Sequence, residues 1–71
     1  MPTAEEVGRR IYHARREMDM TQRQLALRVG VSERTINRWE RGWNGPRGVY
    51  LTRLAHALKL SVADLLEELV A

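Results

Sequence analysis

The strongest constraint on the fold of this chain is the junction Val29-Gly30-Val31-Ser32, inside the stretch TQRQLALRVGVSERTINRWERG that runs from Thr21 to Gly42. A glycine able to take the left-handed conformation ends one helix. Two residues later a serine, a favoured N-cap, starts another. Only a tight corner between two short helices satisfies both signals. Leu25, Ala26 and Val29 recur at helical spacing before the corner, and Ile36 and Trp39 after it. Each arm therefore has one apolar face, and that face needs further helices to cover it.

The rest of the chain supplies them. Thr3 with Glu6, Thr21 with Gln24 and Ser61 with Asp64 have capping-box spacing, and Ser32 is a fourth cap. Prolines occur only at positions 2 and 46, and no useful stretch alternates with period two. The pattern predicts an all-α fold, a compact five-helix bundle forming one domain over residues 1–71, with helices over 4–18, 22–29, 33–41, 49–59 and 62–69. The predicted core takes Val7, Ile11, Ala14 and Met18 from the first helix, Leu51, Leu54, Ala55 and Leu58 from the fourth, and Leu65 and Leu66 from the fifth. Arg9, Arg10, His13, Arg16 and Glu17 form a solvated outer face. Gly42 ends the third helix, and Gly45, Pro46 and Gly48 mark a loop.

A chain of 71 residues without cysteine must rely on packing alone, and a core of this size is worth only about 3–5 kcal/mol. Its apolar runs are far shorter than the roughly 20 residues that cross a bilayer. No membrane association is expected, and a soluble cytoplasmic protein is. The formal charge is +3, unevenly spread. Between Met20 and Arg53 lie seven arginines and two glutamates, a local charge of +5, whereas the segment from Leu60 onward carries Asp64, Glu67 and Glu68 with no cation. One side of the molecule should attract polyanions.

At about 100° per residue, Glu33, Arg34, Asn37, Arg38 and Arg41 share one side of the third helix, opposite Ile36 and Trp39. Arginine can bond both O6 and N7 of guanine, asparagine can pair with adenine, and glutamate can accept from the cytosine amino group. A salt-bridged, solvated surface is the competing reading. Against it, Arg34, Arg38 and Arg41 stack like charges, an arrangement that makes sense beside an anion.

The spacing of Thr21, Gln22, Leu25, Ala26, Gly30, Val31, Ser32, Thr35, Ile36, Trp39, Glu40 and Gly42 resembles the lambda-repressor-like helix-turn-helix family, also called the Cro/repressor or XRE type. Leu54-Ala55, Leu58, Leu60-Ser61-Val62 and Leu65-Leu66 resemble its closing helices. The resemblance implies a third helix in the major groove, with Glu33, Arg34 and Arg38 at base-reading positions and Asn37 beside them. It implies phosphate contacts by Gln22 at the start of the second helix, supported by Arg23, and by Arg41, Asn44 and Arg47 around the following loop. It also implies that Glu40 pairs with Arg15 as a structural pair. The loop departs from the family pattern at Trp43, expected to pack on the domain, with an indole N–H bond to phosphate as the alternative.

No catalytic or metal-binding pattern stands out. His13 and His56 lack partners at ligand spacing, and Ser32 and Ser61 are better placed as caps than as nucleophiles. No enzyme activity, cofactor or small-ligand pocket is expected. The expected partner is double-stranded DNA carrying a palindromic operator, read by a transcriptional repressor that forms a homodimer at least on DNA. Leu69, Val70 and the face of the fifth helix are the candidate pairing surface, with fraying of the terminus as the alternative. The alternative is a module for protein contacts: an antitoxin masking a toxin, or the targeting segment of a longer regulator with its own effector domain.

Overall fold

The protein is described by a computed structural model covering residues 2–66. Over these residues the chain forms five helices: α1 Ala4–Glu17, α2 Gln22–Val29, α3 Glu33–Glu40, α4 Val49–Ala57 and α5 Val62–Leu66. No strand occurs among the described residues. The expected continuation of α5 to residue 69, and Leu69 and Val70 with it, lie outside them.

The starts of the helices follow from their caps. Thr21 and Gln24 form a complete capping box, with N–H donation in both directions at 2.8 and 3.0 Å. Ser61 and Asp64 do the same at 3.0 Å each. The Glu6 N–H donates to Thr3 Oγ1, and the Thr35 N–H to Ser32 Oγ, both at 3.1 Å. Each satisfies a backbone donor that the first helical turn leaves free.

Helix ends are more uniform than the sequence suggests. The N–H of Met20, Val31, Trp43 and Leu60 reaches back over five residues to the carbonyl of Arg15, Ala26, Arg38 and Ala55, at 2.9–3.2 Å. Four helices therefore close with the same left-handed turn. Glycine takes the positive φ at Gly30 (85°) and Gly42 (75°), but Asp19 (55°) and Lys59 (56°) take it at the other two. These turns explain why α1, α3 and α4 stop at Glu17, Glu40 and Ala57 rather than at 18, 41 and 59.

Ile11, Leu25, Ile36, Leu54 and Leu65 are fully buried at the centre. Met20 and Ala57 join them, and Ala14, Met18, Val31, Leu51, Leu60 and Val62 pack around the rim. Leu66, expected to face inward, is exposed. Arg10, expected on the solvated face, donates from Nη1 to the Leu65 carbonyl at 3.0 Å and so ties α1 to α5. Where α1 crosses α3, Gly8 is buried so tightly that an added Cβ would stand 2.4 Å from the Trp39 carbonyl oxygen and 2.7 Å from that of Glu40. The absence of a side chain there lets the two backbones touch.

Candidate nucleic-acid interface

Ile36 and Trp39 anchor α3 in the core. Its opposite side is thereby turned outward. Glu33 and Arg34 are exposed there, and Asn37 and Arg38 half-buried. At the end of α3, Arg41 and Asn44 are exposed, as is Arg47 before α4. On α2, Arg23 is exposed and Gln22 half-buried.

Beneath this surface lies a polar network linking three helices. Arg15, 6% exposed, donates from Nε to Glu40 Oε2 at 2.7 Å and from Nη2 to Oε1 at 3.0 Å. Its third donor, Nη1, reaches the Met20 carbonyl at 2.7 Å. These two side chains form the one ion pair among the described residues. Bonding to Glu40 holds the Arg15 pKa above its ordinary value, against the opposing effect of burial. The guanidinium also lies 5.3 Å from the ring centre of Tyr12.

The network continues to the outer surface. Gln22 donates from Nε2 to Glu40 Oε1 at 3.0 Å, and Asn37 Nδ2 donates to Gln22 Oε1 at 3.4 Å. A chain of bonds thus runs from Arg15 on α1, through Glu40 on α3 and Gln22 on α2, back to Asn37 on α3. A side-chain amide has two N–H donors, so Gln22 and Asn37 each keep one N–H for a ligand. Sequence spacing does not reveal the links of Gln22 to Glu40 and Asn37, because they join residues that are distant along the chain and appear only once α2 and α3 are packed.

A profile of the helix-turn-helix family matches residues 11–65. The chain belongs to the lambda-repressor-like helix-turn-helix family. It is 36% identical over 55 residues to the HTH-type transcriptional regulator DicA of Escherichia coli K12, a match that covers 78% of this chain and 41% of that protein. The chain thus spans less than half the length of this relative. Among solved structures it is similar to the P22 c2 repressor in complex with a synthetic operator, at 38% identity and TM-score 0.84 over 86% of this chain and 92% of that one. It is also similar to SinR in complex with DNA, at 29% identity and TM-score 0.80 over 86% and 98%.

Within this helix-turn-helix domain the corner is built from Gly30 and Val31, and α2 and α3 are the motif's two arms. Trp43 corrects an expectation. It does not pack on the domain but is 69% exposed, with the Arg41 guanidinium 5.7 Å from its ring centre. The physical reason lies in the turn after α3. The corresponding residues after α1, α2 and α4, namely Met20, Val31 and Leu60, meet the core, whereas the turn after α3 opens into the long loop before α4. His13 is exposed against the edge of Tyr12, and His56 is exposed on α4. Among the described residues no three His, Cys, Asp or Glu side chains come together as a metal site, and no helix is long and apolar enough to cross a membrane.

Proposed function

We propose that this chain binds duplex DNA with sequence preference and acts in transcriptional regulation as a repressor. The observation that carries the reading is the division of α3: Ile36 and Trp39 are locked inside, while Glu33, Arg34, Asn37 and Arg38 face out with groups matched to base edges. Arg34 and Arg38 read guanine, and Glu33 and Asn37 refine the choice. Gln22, Arg23, Arg41, Asn44 and Arg47 hold the phosphates on either side and set the register of α3. The remaining N–H of Gln22 points to a phosphate as its natural partner. Its bonds to Glu40 and Asn37 couple that contact to the reading helix.

A single module of this size covers only about 600–1,000 Å² of its own surface on DNA, close to the range of weak binding. Two copies on a palindrome, about one helical turn apart, supply the missing affinity. Exposed Leu66 on α5 supports a pairing surface there. A second reading, docking to a toxin or an effector domain, is supported by Leu27, 75% exposed on α2.

The test is selection of preferred sites from random duplexes, followed by titration at several salt concentrations. Binding should weaken steeply with salt, and the selected sites should be two-fold symmetric. Arg38→Ala should relax preference at one base pair at a cost of about 1–3 kcal/mol, whereas Gln22→Ala should weaken all sequences alike. No duplex binding at low salt, with capture of a protein partner that persists at high salt, would replace this reading by the second.

A further inference from the structure

Between the C-terminal ends of α2 and α4 lies an open recess of about 390 Å³, lined by Arg28, Arg53, His56, Ala57 and Lys59. No acidic residue lines it, and among the described residues none of its cations pairs with a carboxylate. Arg28 and His56 sit in the last turns of their helices, where a cation suits the local dipole. Lys59, just past the end of α4, has the same explanation, and Arg53 does not. Arg53 lies in the middle of α4, with its guanidinium against the Gly30 corner, 3.4 Å from where a Cβ there would stand, and 5.7 Å from the ring centre of Tyr50. Across the α2–α4 contact it lines the recess together with Arg28.

Lys59 occupies a left-handed position, φ 56°. The equivalent turns after α2 and α3 use glycine, and the turn after α1 uses aspartate, whose short polar side chain tolerates that conformation. Lysine has neither advantage. A cation thus stands in a backbone conformation that favours glycine, beside the other cations that line the recess.

We propose that this recess binds a compact polyanion carrying two or more phosphate groups, a phosphorylated small molecule. Guanidinium forks on Arg28 and Arg53 match paired phosphate oxygens, Lys59 adds a mobile point charge, and Ala57 gives an apolar wall. A bound anion would offset the like charges that line the recess. The site is separate from the proposed DNA contacts. α2 and α4 begin at Gln22 and just after Arg47, and both end at the recess, about 12–14 Å further along at 1.5 Å per residue. Because Arg53 rests on the Gly30 corner, an anion gripped by Arg53 bears directly on the turn that joins the two arms of the motif.

The experiment titrates sodium tripolyphosphate into the isotope-labelled chain without DNA. Amide shifts should concentrate at Gly30, Arg53, Ala57 and Lys59, and the thermal midpoint should rise. The double variant Arg53→Gln, Lys59→Gly should bind about tenfold more weakly, in line with the loss of charge-assisted bonds. It should also be at least as stable as the parent without anion, since it removes repulsion and places glycine at a left-handed position. The control pair Arg9→Gln, Arg16→Gln, an equal loss of two charges on exposed positions of α1, should bind tripolyphosphate as the parent does. Shifts confined to Arg34, Arg38 and Arg41, or undiminished binding by the double variant, would overturn the proposal. So would a double variant that loses affinity only for long duplexes, which would make the recess part of the DNA footprint. The tripolyphosphate outcomes do not depend on DNA binding by α3.

Discussion

Gly8→Ala is the most informative single change, because helix propensity and packing predict opposite signs. In an exposed helix interior, alanine is favoured over glycine by about 1 kcal/mol. Gly8 is instead buried against the backbone of α3, with an added Cβ at 2.4, 2.7 and 3.0 Å from the Trp39 oxygen, the Glu40 oxygen and the Glu40 carbonyl carbon. Ordinary contact begins near 3.4 Å, so α1 and α3 must part by roughly 1 Å. Those obstacles are backbone atoms and cannot rotate away. A shift of that size also stretches the Arg15–Glu40 bonds, now 2.7 and 3.0 Å, beyond useful length. Overpacking costs about 1–3 kcal/mol, and bonds to a charged partner contribute about 1.5–3 kcal/mol. Set against the gain in propensity, the net loss is about 1.5–5 kcal/mol.

That loss is large for a domain of this size, and its thermal midpoint should fall by about 4–8 °C per kcal/mol. Urea unfolding followed by circular dichroism measures it directly. If the variant still folds at low temperature, its duplex affinity should also drop, because the angle of α3 is set across this contact. A Gly8→Ala protein as stable as the parent, or more so, would refute the argument. It would mean that α1 and α3 slide apart without cost and that the close crossing does not hold α3 in place.

Two further outcomes follow from the same geometry. Glu40→Ala should cost about 3–5 kcal/mol by leaving the buried Arg15 cation unpaired, while the pair Arg15→Met, Glu40→Leu should cost clearly less; equal losses in a double-mutant cycle would place the energy in packing instead of charge. Asp64 is held below the usual carboxylate range by its hydrogen bonds from the Ser61 backbone and hydroxyl. Its contribution is therefore complete above the unfolded-state pKa and is lost as pH falls through the lower folded value. In an NMR titration Ser61→Ala, which keeps the backbone donor and removes the hydroxyl, should raise the Asp64 midpoint part of the way, and an unchanged midpoint would exclude the hydroxyl as a cause.

These cases also divide what the sequence makes legible from what it hides. Caps at Thr21 and Ser61 and stops at Gly30 and Gly42 are visible because each involves residues within a few positions and a residue type with a specific backbone role. The stops at Asp19 and Lys59 are invisible for the complementary reason: the turn forms with side chains that do not announce it. Gly8 leaves a faint trace, a glycine inside an otherwise amphipathic helix, and that oddity signals a close crossing when it is given weight. The outward side of α3 can be drawn from periodicity alone, but the link from Gln22 to Glu40 and Asn37 cannot, since it requires α1, α2 and α3 to meet at known distances.

The recess lined by Arg28, Arg53 and Lys59 belongs to this hidden class. Its residues come from two helices and a turn, and only their convergence, together with a lysine in a conformation that favours glycine, separates a built cationic site from the scatter of surface charge. The basic composition is therefore not a single signal. Part of it faces outward on α3, part is spent inside the Arg15–Glu40 pair, and part gathers at the far ends of α2 and α4. On the proposed reading each part should respond to a different perturbation: base sequence for the first, mutation of the buried partner for the second, and added polyphosphate for the third.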